Sequence, residues 1–276
     1  MSLHRIPLAG VIGNPVAHSR SPRLHRHWLA RYGLTGDYVA LHVDGSDLAQ
    51  VIATLPKMGF VGCNVTIPHK LDVLGLADHV SDAARRIGAA NTLGWAADGL
   101  HADNTDGYGF IANLRAGAPL WQPQAGNALV LGAGGASRAV LVALLDAGVP
   151  QIFLANRTKS RAADLAAEFG PRIVAVDWAE VGDLIGQAAL VVNTTSLGMD
   201  GADTMTLPLD GLHAGQVVTD IVYTPLITPL LAAGAKAGAV TVDGLGMLLH
   251  QGVPGFERWF GQRPAVDDAL RTAVLG

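Results

Sequence analysis

Lys70 closes the run Asn64-Val65-Thr66-Ile67-Pro68-His69-Lys70, and its surroundings suggest chemistry. Phe60–Val65 is apolar and reads as a strand. Side chains two apart on a strand point the same way, so Asn64 and Thr66 share a face. Pro68 suits the start of a helix, which puts Lys70 in a first turn. There the helix dipole disfavours a cation by roughly 0.3–1 kcal/mol. Proton exchange explains a lysine in that place better than packing does.

Three more polar clusters precede residue 107. Ser19-Arg20-Ser21-Pro22 sets two hydroxyls two residues apart in an extended loop, able to face one ligand. Ser21 also fits as the cap of a helix beginning at Pro22. The others are Gly88-Ala89-Ala90-Asn91-Thr92 and Asp103-Asn104-Thr105-Asp106-Gly107. Asp106 reads either as a helix cap or as the carboxylate beside Lys70. A lysine–aspartate pair can accept an alcohol proton while hydride leaves the same carbon. Each cluster alone reads equally as a strand end or a cap. Together they suit a small polyhydroxylated substrate.

A hydride needs a carrier, and the second half of the chain offers a place for one. Ala128–Leu131 reads as a strand, followed by Gly132-Ala133-Gly134-Gly135-Ala136-Ser137 and a helix over Ser137–Ala147. Strand, glycine turn and helix in that order form the context of a dinucleotide fingerprint. Gly132 permits the tight turn, and Gly134 lets the backbone approach a pyrophosphate at a helix N-terminus. Ser137 stands where the third glycine would be. The next strand, Gln151–Ala155, ends at Asn156-Arg157-Thr158-Lys159-Ser160-Arg161. A site for NAD usually carries an acid there for the ribose hydroxyls. A neutral Asn156 with Arg157 and Arg161 suits a 2′-phosphate instead, so the expected cofactor is NADP.

The elements that must position these residues alternate, strand then helix, along most of the chain. Beyond those named, strands are expected at Pro7–Ile12, Tyr38–Val43, Ile173–Val176, Leu190–Val192, Val217–Ile221 and Ala239–Val242. A hairpin is expected about Asp98-Gly99. Ser46 or Asp47, and Ser81, read as helix caps, and helices are expected over 106–114 and from 245 to the end. This pattern predicts an α/β protein with largely parallel sheets. The Gly- and Pro-containing stretch 116–127 reads as a surface loop.

Composition narrows the function. Of 276 residues 34 are glycine, well above the usual roughly 7%, without a G-X-Y period. The net charge of −4 gives no basic face for nucleic acid. A single cysteine, Cys63, excludes an internal disulfide framework and an all-cysteine metal site. No run of 18 apolar residues is present, and the N-terminus does not read as a secretory signal. The expectation is a cytoplasmic protein with no membrane partner. The ten histidines show no metal-ligand spacing, so no metal is expected.

Several stretches, in order along nearly the whole chain, resemble the shikimate dehydrogenase family. They are 19–22, 64–70, 88–92, 104–106, 132–136 and 156–161, then Asn193–Met199, Asp220–Pro225 and Asp243–Gln251. The resemblance implies Lys70 and Asp106 as the catalytic pair, with Lys70 the proton acceptor. It implies Ser19, Ser21, Asn64, Thr66, Asn91, Asp106, Tyr223 and Gln251 as substrate ligands. It assigns Gly132, Ala133, Gly134, Gly135 and Ala136 to the pyrophosphate. Asn156, Arg157, Thr158 and Arg161 fall to the adenosine phosphate end, and Ile221, Gly244 and Met247 to the nicotinamide. Asp82 matches a position sometimes assigned to the cofactor.

The implied fold is α/β, with a substrate domain over 1–106 and 245–276. A doubly wound Rossmann-like NADP domain covers 107–244, and both ligands lie in the cleft between the two domains. The implied reaction interconverts 3-dehydroshikimate and shikimate with NADPH, in aromatic amino acid biosynthesis. The resemblance leaves room for a homodimer. Ala90 and Thr194 depart from the commoner Val and Ala without changing the chemistry. A quinate/shikimate dehydrogenase of relaxed choice and a non-catalytic NADP-binding sensor are the competing readings. An acid is absent at 156, against NAD use, and Lys70 and Asp106 are both present, against a mere binder.

Overall fold

The computed structural model describes residues 6–200 and 206–276. The chain divides into two compact units: residues 1–106 with 248–276, and residues 107–247. The return to the first unit therefore falls after Met247, three residues later than expected.

The first unit is built on a six-stranded sheet. Its strands are β1 (Leu8–Gly13), β2 (Asp37–His42), β3 (Phe60–Val65), β4 (His79–Val80), β5 (Thr92–Ala96) and β6 (Gly99–Asp103). Their spatial order is β2-β1-β3-β5-β6-β4. The sheet is mixed: β1, β2 and β3 run parallel, but β5 is antiparallel to both β3 and β6. The sheet is largely parallel, as expected, with β4 also parallel to β6; its two antiparallel pairs come from β5, which the expected tight hairpin reverses against β6. The register pairs Ala96 with Gly99, so Ala97 and Asp98 form the loop, one residue earlier than expected. The two-residue edge strand β4 carries no run long enough to read from sequence.

Helices α1 (Ser21–Arg31), α2 (Leu48–Thr54) and α3 (Asp82–Ile87) also belong to this unit. One apolar core gathers Ile12, Phe60, Cys63, Val65, Leu93 and Leu100, and a second joins Ala9, Val11, Tyr38 and Trp259. The indole of Trp259 donates to the Leu93 carbonyl (3.0 Å), tying the returning C-terminal helix to the sheet.

The second unit is more regular. Strands β7 (Ala128–Leu131), β8 (Ile152–Ala155), β9 (Ile173–Val176), β10 (Leu190–Asn193), β11 (Val217–Asp220) and β12 (Val240–Val242) are all parallel. Their order is β12-β11-β10-β7-β8-β9, the doubly wound arrangement. Nearly unbroken burial of β7 and β10 fits a sheet covered on both faces. Helix α4 (Asp106–Gly117) leads into the sheet, and α5 (Gly135–Ala147), α6 (Lys159–Phe169), α7 (Val181–Ile185) and α8 (Pro229–Lys236) lie in crossovers between its strands. Helix α9 (Leu245–Phe260) carries the chain back to the first unit, where α10 (Asp268–Leu275) ends it.

Candidate active site

In the first unit, strand ends and one helix start bring the polar clusters together. Lys70 Nζ donates to Asp106 Oδ2 at 2.5 Å. The Lys70 side chain is 23% exposed, so its ammonium is held yet reachable. Asn91 is buried and saturated. Its amide nitrogen donates to Asp106 Oδ1 (2.8 Å) and to Gln251 Oε1 (3.2 Å). Its oxygen accepts from the Thr105 backbone (2.8 Å) and the Thr92 hydroxyl (2.9 Å). The Asp106 N–H donates to Asn104 Oδ1 (3.0 Å), which fixes the first residue of α4. Asp106 is thus both the helix start and the carboxylate beside Lys70.

A second chain of bonds leads to Asn64. The Tyr38 hydroxyl donates to Asn64 Oδ1 (2.7 Å), and Asn64 Nδ2 donates to the Asn91 carbonyl (3.0 Å). Burial pushes the Tyr38 phenol well above its usual range, with the Ser21 hydroxyl bonding in the opposite sense. Ser21 is therefore within this network, while the Ser19 hydroxyl accepts from the Ser21 N–H (3.3 Å). Thr66, half-buried beyond β3, gives its N–H to Ile12 O (2.8 Å).

Two local expectations change. Ser21 does not cap α1: it is the first helical residue, and Arg20 holds the cap position without a side-chain bond. Lys70 is not in a helix. Residues 67–71 form a turn ahead of a short 3-10 segment, Asp72–Leu76. The Lys70 carbonyl accepts from the Ala90 N–H (2.8 Å), and the buried His69 ring bonds the Val43 carbonyl (2.8 Å). The first takes a carbonyl that a helix would use, and the second anchors the turn through a side chain. The dipole argument lapses, and the case for Lys70 rests on its carboxylate partner.

Sequence reasoning gave no separate role to Tyr38, Thr92, Asn104 or Thr105. Tyr38 lacked any local signal. The other three lie in Asn-Thr steps at strand ends, and that recurrence was the available clue.

In the second unit, Gly132 follows β7 at φ +104°, and a side chain there would press on Thr194 and Thr195. Gly134 and Gly135 face open space where a Cβ would stand, directly at the N-terminus of α5. The missing third glycine has a physical reading: Ser137 is fully buried and donates its hydroxyl to the Gly134 carbonyl (2.6 Å), bracing the turn. The Ala133 N–H donates to Asn156 Oδ1 (3.1 Å), joining the turn to the end of β8. Asn156 and Arg157 line a cavity of about 470 Å³ with Trp178, Thr195, Ser196, Leu197 and Thr206. Thr158 and Arg161 sit exposed at the start of α6. Trp178 and Thr195–Leu197 were given no cofactor role from sequence, because their chain segments approach only in the folded sheet.

This turn fits a dinucleotide on the structure's own terms. Open backbone N–H groups at a helix start suit phosphates, and among the described residues no carboxylate lines the adjoining cavity. The turn also sits where the strand order reverses, between β7 and β10, the usual ligand position in such sheets.

Ile221 and Gly244 are brought together: a Cβ on Gly244 would lie 2.4 Å from the Ile221 carbonyl oxygen. Ile221 and Met247 pack on the same apolar core. Tyr223, half-buried, lies in the segment after β11. That segment is pinned by the buried Asp220, which accepts from Val222 N (3.0 Å), Thr228 Oγ1 (2.7 Å) and Asn193 Nδ2 (3.0 Å). Burial raises the Asp220 carboxyl above its usual range. Tyr223 thus belongs to the second unit, and the other expected substrate ligands to the first. Asp82 also belongs to the first unit, exposed at the start of α3 and paired with Arg85 (2.8 Å).

A lysine–carboxylate pair within a saturated amide network, in a chain that also carries a doubly wound sheet with an open glycine turn, defines a dinucleotide-dependent oxidoreductase. Comparison with known proteins narrows the class. Family models match in three places: the shikimate dehydrogenase substrate binding domain at residues 11–93, shikimate / quinate 5-dehydrogenase at 120–200, and the shikimate 5′-dehydrogenase C-terminal domain at 244–274. The chain is 62% identical over 277 residues to a shikimate dehydrogenase (NADP(+)) of Roseobacter denitrificans, covering 100% of both. A structure of Thermus thermophilus shikimate 5-dehydrogenase in complex with NADP(H) and shikimate matches with TM-score 0.86 and 38% identity, over 97% of this chain and 98% of that one. Quinate dehydrogenase from Corynebacterium glutamicum in complex with NAD matches with TM-score 0.91 and 33% identity, over 97% and 98%. The chain belongs to the shikimate dehydrogenase family.

Proposed function

We propose that the chain is an NADP-dependent shikimate dehydrogenase, reducing 3-dehydroshikimate to shikimate reversibly in aromatic amino acid biosynthesis. The observation that carries the reading is Lys70 Nζ, 2.5 Å from Asp106 Oδ2. Bound NADPH supplies the hydride.

In the reducing direction Lys70 Nζ gives a proton to the substrate's carbonyl oxygen as that oxygen gains charge. In the oxidising direction it takes the hydroxyl proton back. Asp106 aims the ammonium, and Asn91 holds Asp106. Ser19, Ser21, Asn64, Thr66, Gln251 and Tyr223 bind the substrate's carboxylate and hydroxyls, and Asn91 joins them by exchanging its longest amide bond, to Gln251 Oε1 (3.2 Å), for the substrate. Residues 132–136 hold the pyrophosphate, with Gly132 and Ala133 fixing the turn through their own N–H bonds and the N–H groups at the start of α5 facing the phosphates; Asn156, Arg157, Thr158 and Arg161 hold the adenosine 2′-phosphate. Ile221, Gly244 and Met247 flank the nicotinamide.

No helix among the described residues is long and apolar enough to cross a membrane. A cytoplasmic enzyme acting as a monomer or homodimer agrees with this reading, and sedimentation decides between the two.

The test is a two-by-two steady-state assay, shikimate or quinate with NADP or NAD, followed at 340 nm. A dominant shikimate–NADP rate supports the proposal. The likeness to a quinate dehydrogenase with NAD supports the rival reading. Dominant quinate or NAD turnover would move the chain to that branch, and cofactor binding without turnover would make it a sensor.

A further inference from the structure

His79, Asp98 and His101 form a cluster outside the site just described. The fold explains how they meet. Edge strand β4 pairs in parallel with β6, and its register sets His79 directly beside His101. The two rings stack with centroids 4.5 Å apart. Asp98 lies in the β5–β6 hairpin loop, three residues before His101. Its Oδ1 is 2.9 Å from His101 Nε2, and its Oδ2 is 3.4 Å from His79 Nε2. The loop is braced from the other side, where Asp78 accepts from the Leu100 N–H (2.8 Å).

Among the described residues this is the one group of three histidine, cysteine, aspartate or glutamate side chains whose ligand atoms converge, all within 4.8 Å of one another. Bonds of roughly 2.0–2.2 Å to a tetrahedral ion place its ligands roughly 3.3–3.5 Å apart. The two separations from Asp98 to the histidines, 2.9 and 3.4 Å, are close to that spacing before any ion arrives. Two imidazole nitrogens and one carboxylate oxygen suit zinc, nickel or copper, whereas magnesium and calcium favour all-oxygen sets. Three protein ligands leave an open position for water.

We propose that His79, Asp98 and His101 bind one divalent transition-metal ion, pinning the edge strand to the hairpin. The site does not depend on the dehydrogenase reading. The ion ties together three segments that otherwise meet through two strand pairs and exposed ion pairs. Because the ligating imidazoles must be neutral, binding weakens as pH falls.

The test uses untagged full-length protein titrated with Zn2+ against a chromophoric chelator at pH 7.5. One Zn2+ per chain is expected. His79→Ala and His101→Ala should each weaken it at least about 10-fold, and His42→Ala, at an exposed histidine elsewhere in the unit, should leave it unchanged. With Cu2+, electron paramagnetic resonance should show two coordinated nitrogens in the wild type and one in His101→Ala. Excess Mg2+ should not compete. Absence of saturable Zn2+ binding in the wild type overturns the proposal. So does equal affinity in the wild type and the His79→Ala/His101→Ala double variant. Circular dichroism without metal checks that the variants fold. If the double variant does not, Asp98→Asn supplies the same comparison.

Discussion

The side-chain amide of Asn91 donates to Asp106 Oδ1 at 2.8 Å, and so commits one oxygen of that carboxylate. Lys70 Nζ takes the other oxygen, Oδ2, at 2.5 Å. The ammonium is thereby given a direction as well as a partner. Asn91 is itself fixed by Thr92, Thr105 and Gln251, so the direction is inherited from the fold.

Lys70→Ala should lower kcat by on the order of 10²–10⁴, with a smaller effect on KM, because it removes the proton donor and acceptor. Steady-state rates with shikimate and NADP check this. An unchanged kcat would remove Lys70 from the chemistry.

Asn91→Ala leaves Asp106 Oδ1 and the buried Thr105 N–H without their partner. A loss of about 1–3 kcal/mol in unfolding free energy is expected for such a group, along with a lower kcat. Urea denaturation measures the first. Full stability would mean that water replaces the amide at no cost.

Arg157→Ala should weaken NADP about 10–100-fold, the loss of a charge-assisted bond of about 1.5–3 kcal/mol, and leave NAD nearly untouched. Fluorescence titration with both cofactors compares them. Equal losses would show that Arg157 does not read the 2′-phosphate.

Ser19→Ala should raise the KM for shikimate and leave cofactor affinity alone. Its hydroxyl already accepts from the Ser21 N–H (3.3 Å), so its own proton is available to a ligand. A normal KM would confine Ser19 to bracing the loop.

His25 sets a pH dependence of stability. It is buried against Trp28, Tyr38, Phe256 and Trp259, stacked on Tyr38 at 4.0 Å, with no partner on either ring nitrogen. Burial lowers it to about 3. The unfolded chain, near 6.5, then binds the proton that the folded chain rejects. Stability is full above about 6.5 and falls by roughly 1.4 kcal/mol per pH unit down to about 3. Urea melts from pH 7 to 4 on the wild type and His25→Phe check this. The variant should lack that slope, and an identical slope in both would assign it to other groups.

Some of this was legible in the chain. Gly132 through Ser137 run from the end of a buried strand into the first turn of a helix within one short stretch, so local sequence carries the turn and its ligand class. The missing acid at 156 is likewise local. Ser81 was legible as a cap, and it does accept from the Ala84 N–H (3.1 Å). The Lys70 helix failed because the Ala90 N–H, distant in sequence, takes the Lys70 carbonyl that such a helix would use, while the buried His69 ring anchors the turn to Val43. The antiparallel step in the first unit was legible only at the hairpin, where Asp98-Gly99 marks the turn; strand periodicity carries no direction, so the parallel pairing of β4 with β6 was not.

The sequence by itself determined which residues could do chemistry: a lysine, a carboxylate, amides and hydroxyls at strand ends, and a glycine turn before a helix. The tertiary structure decided which of them meet. Gln251 reaches Asn91 across 160 positions, and His79 reaches His101 only through the register of one edge strand. Spacing along a chain reports neighbours within one helix or strand. Pairing between strands and the packing of a returning helix depend on burial summed over the whole core, which no local pattern records.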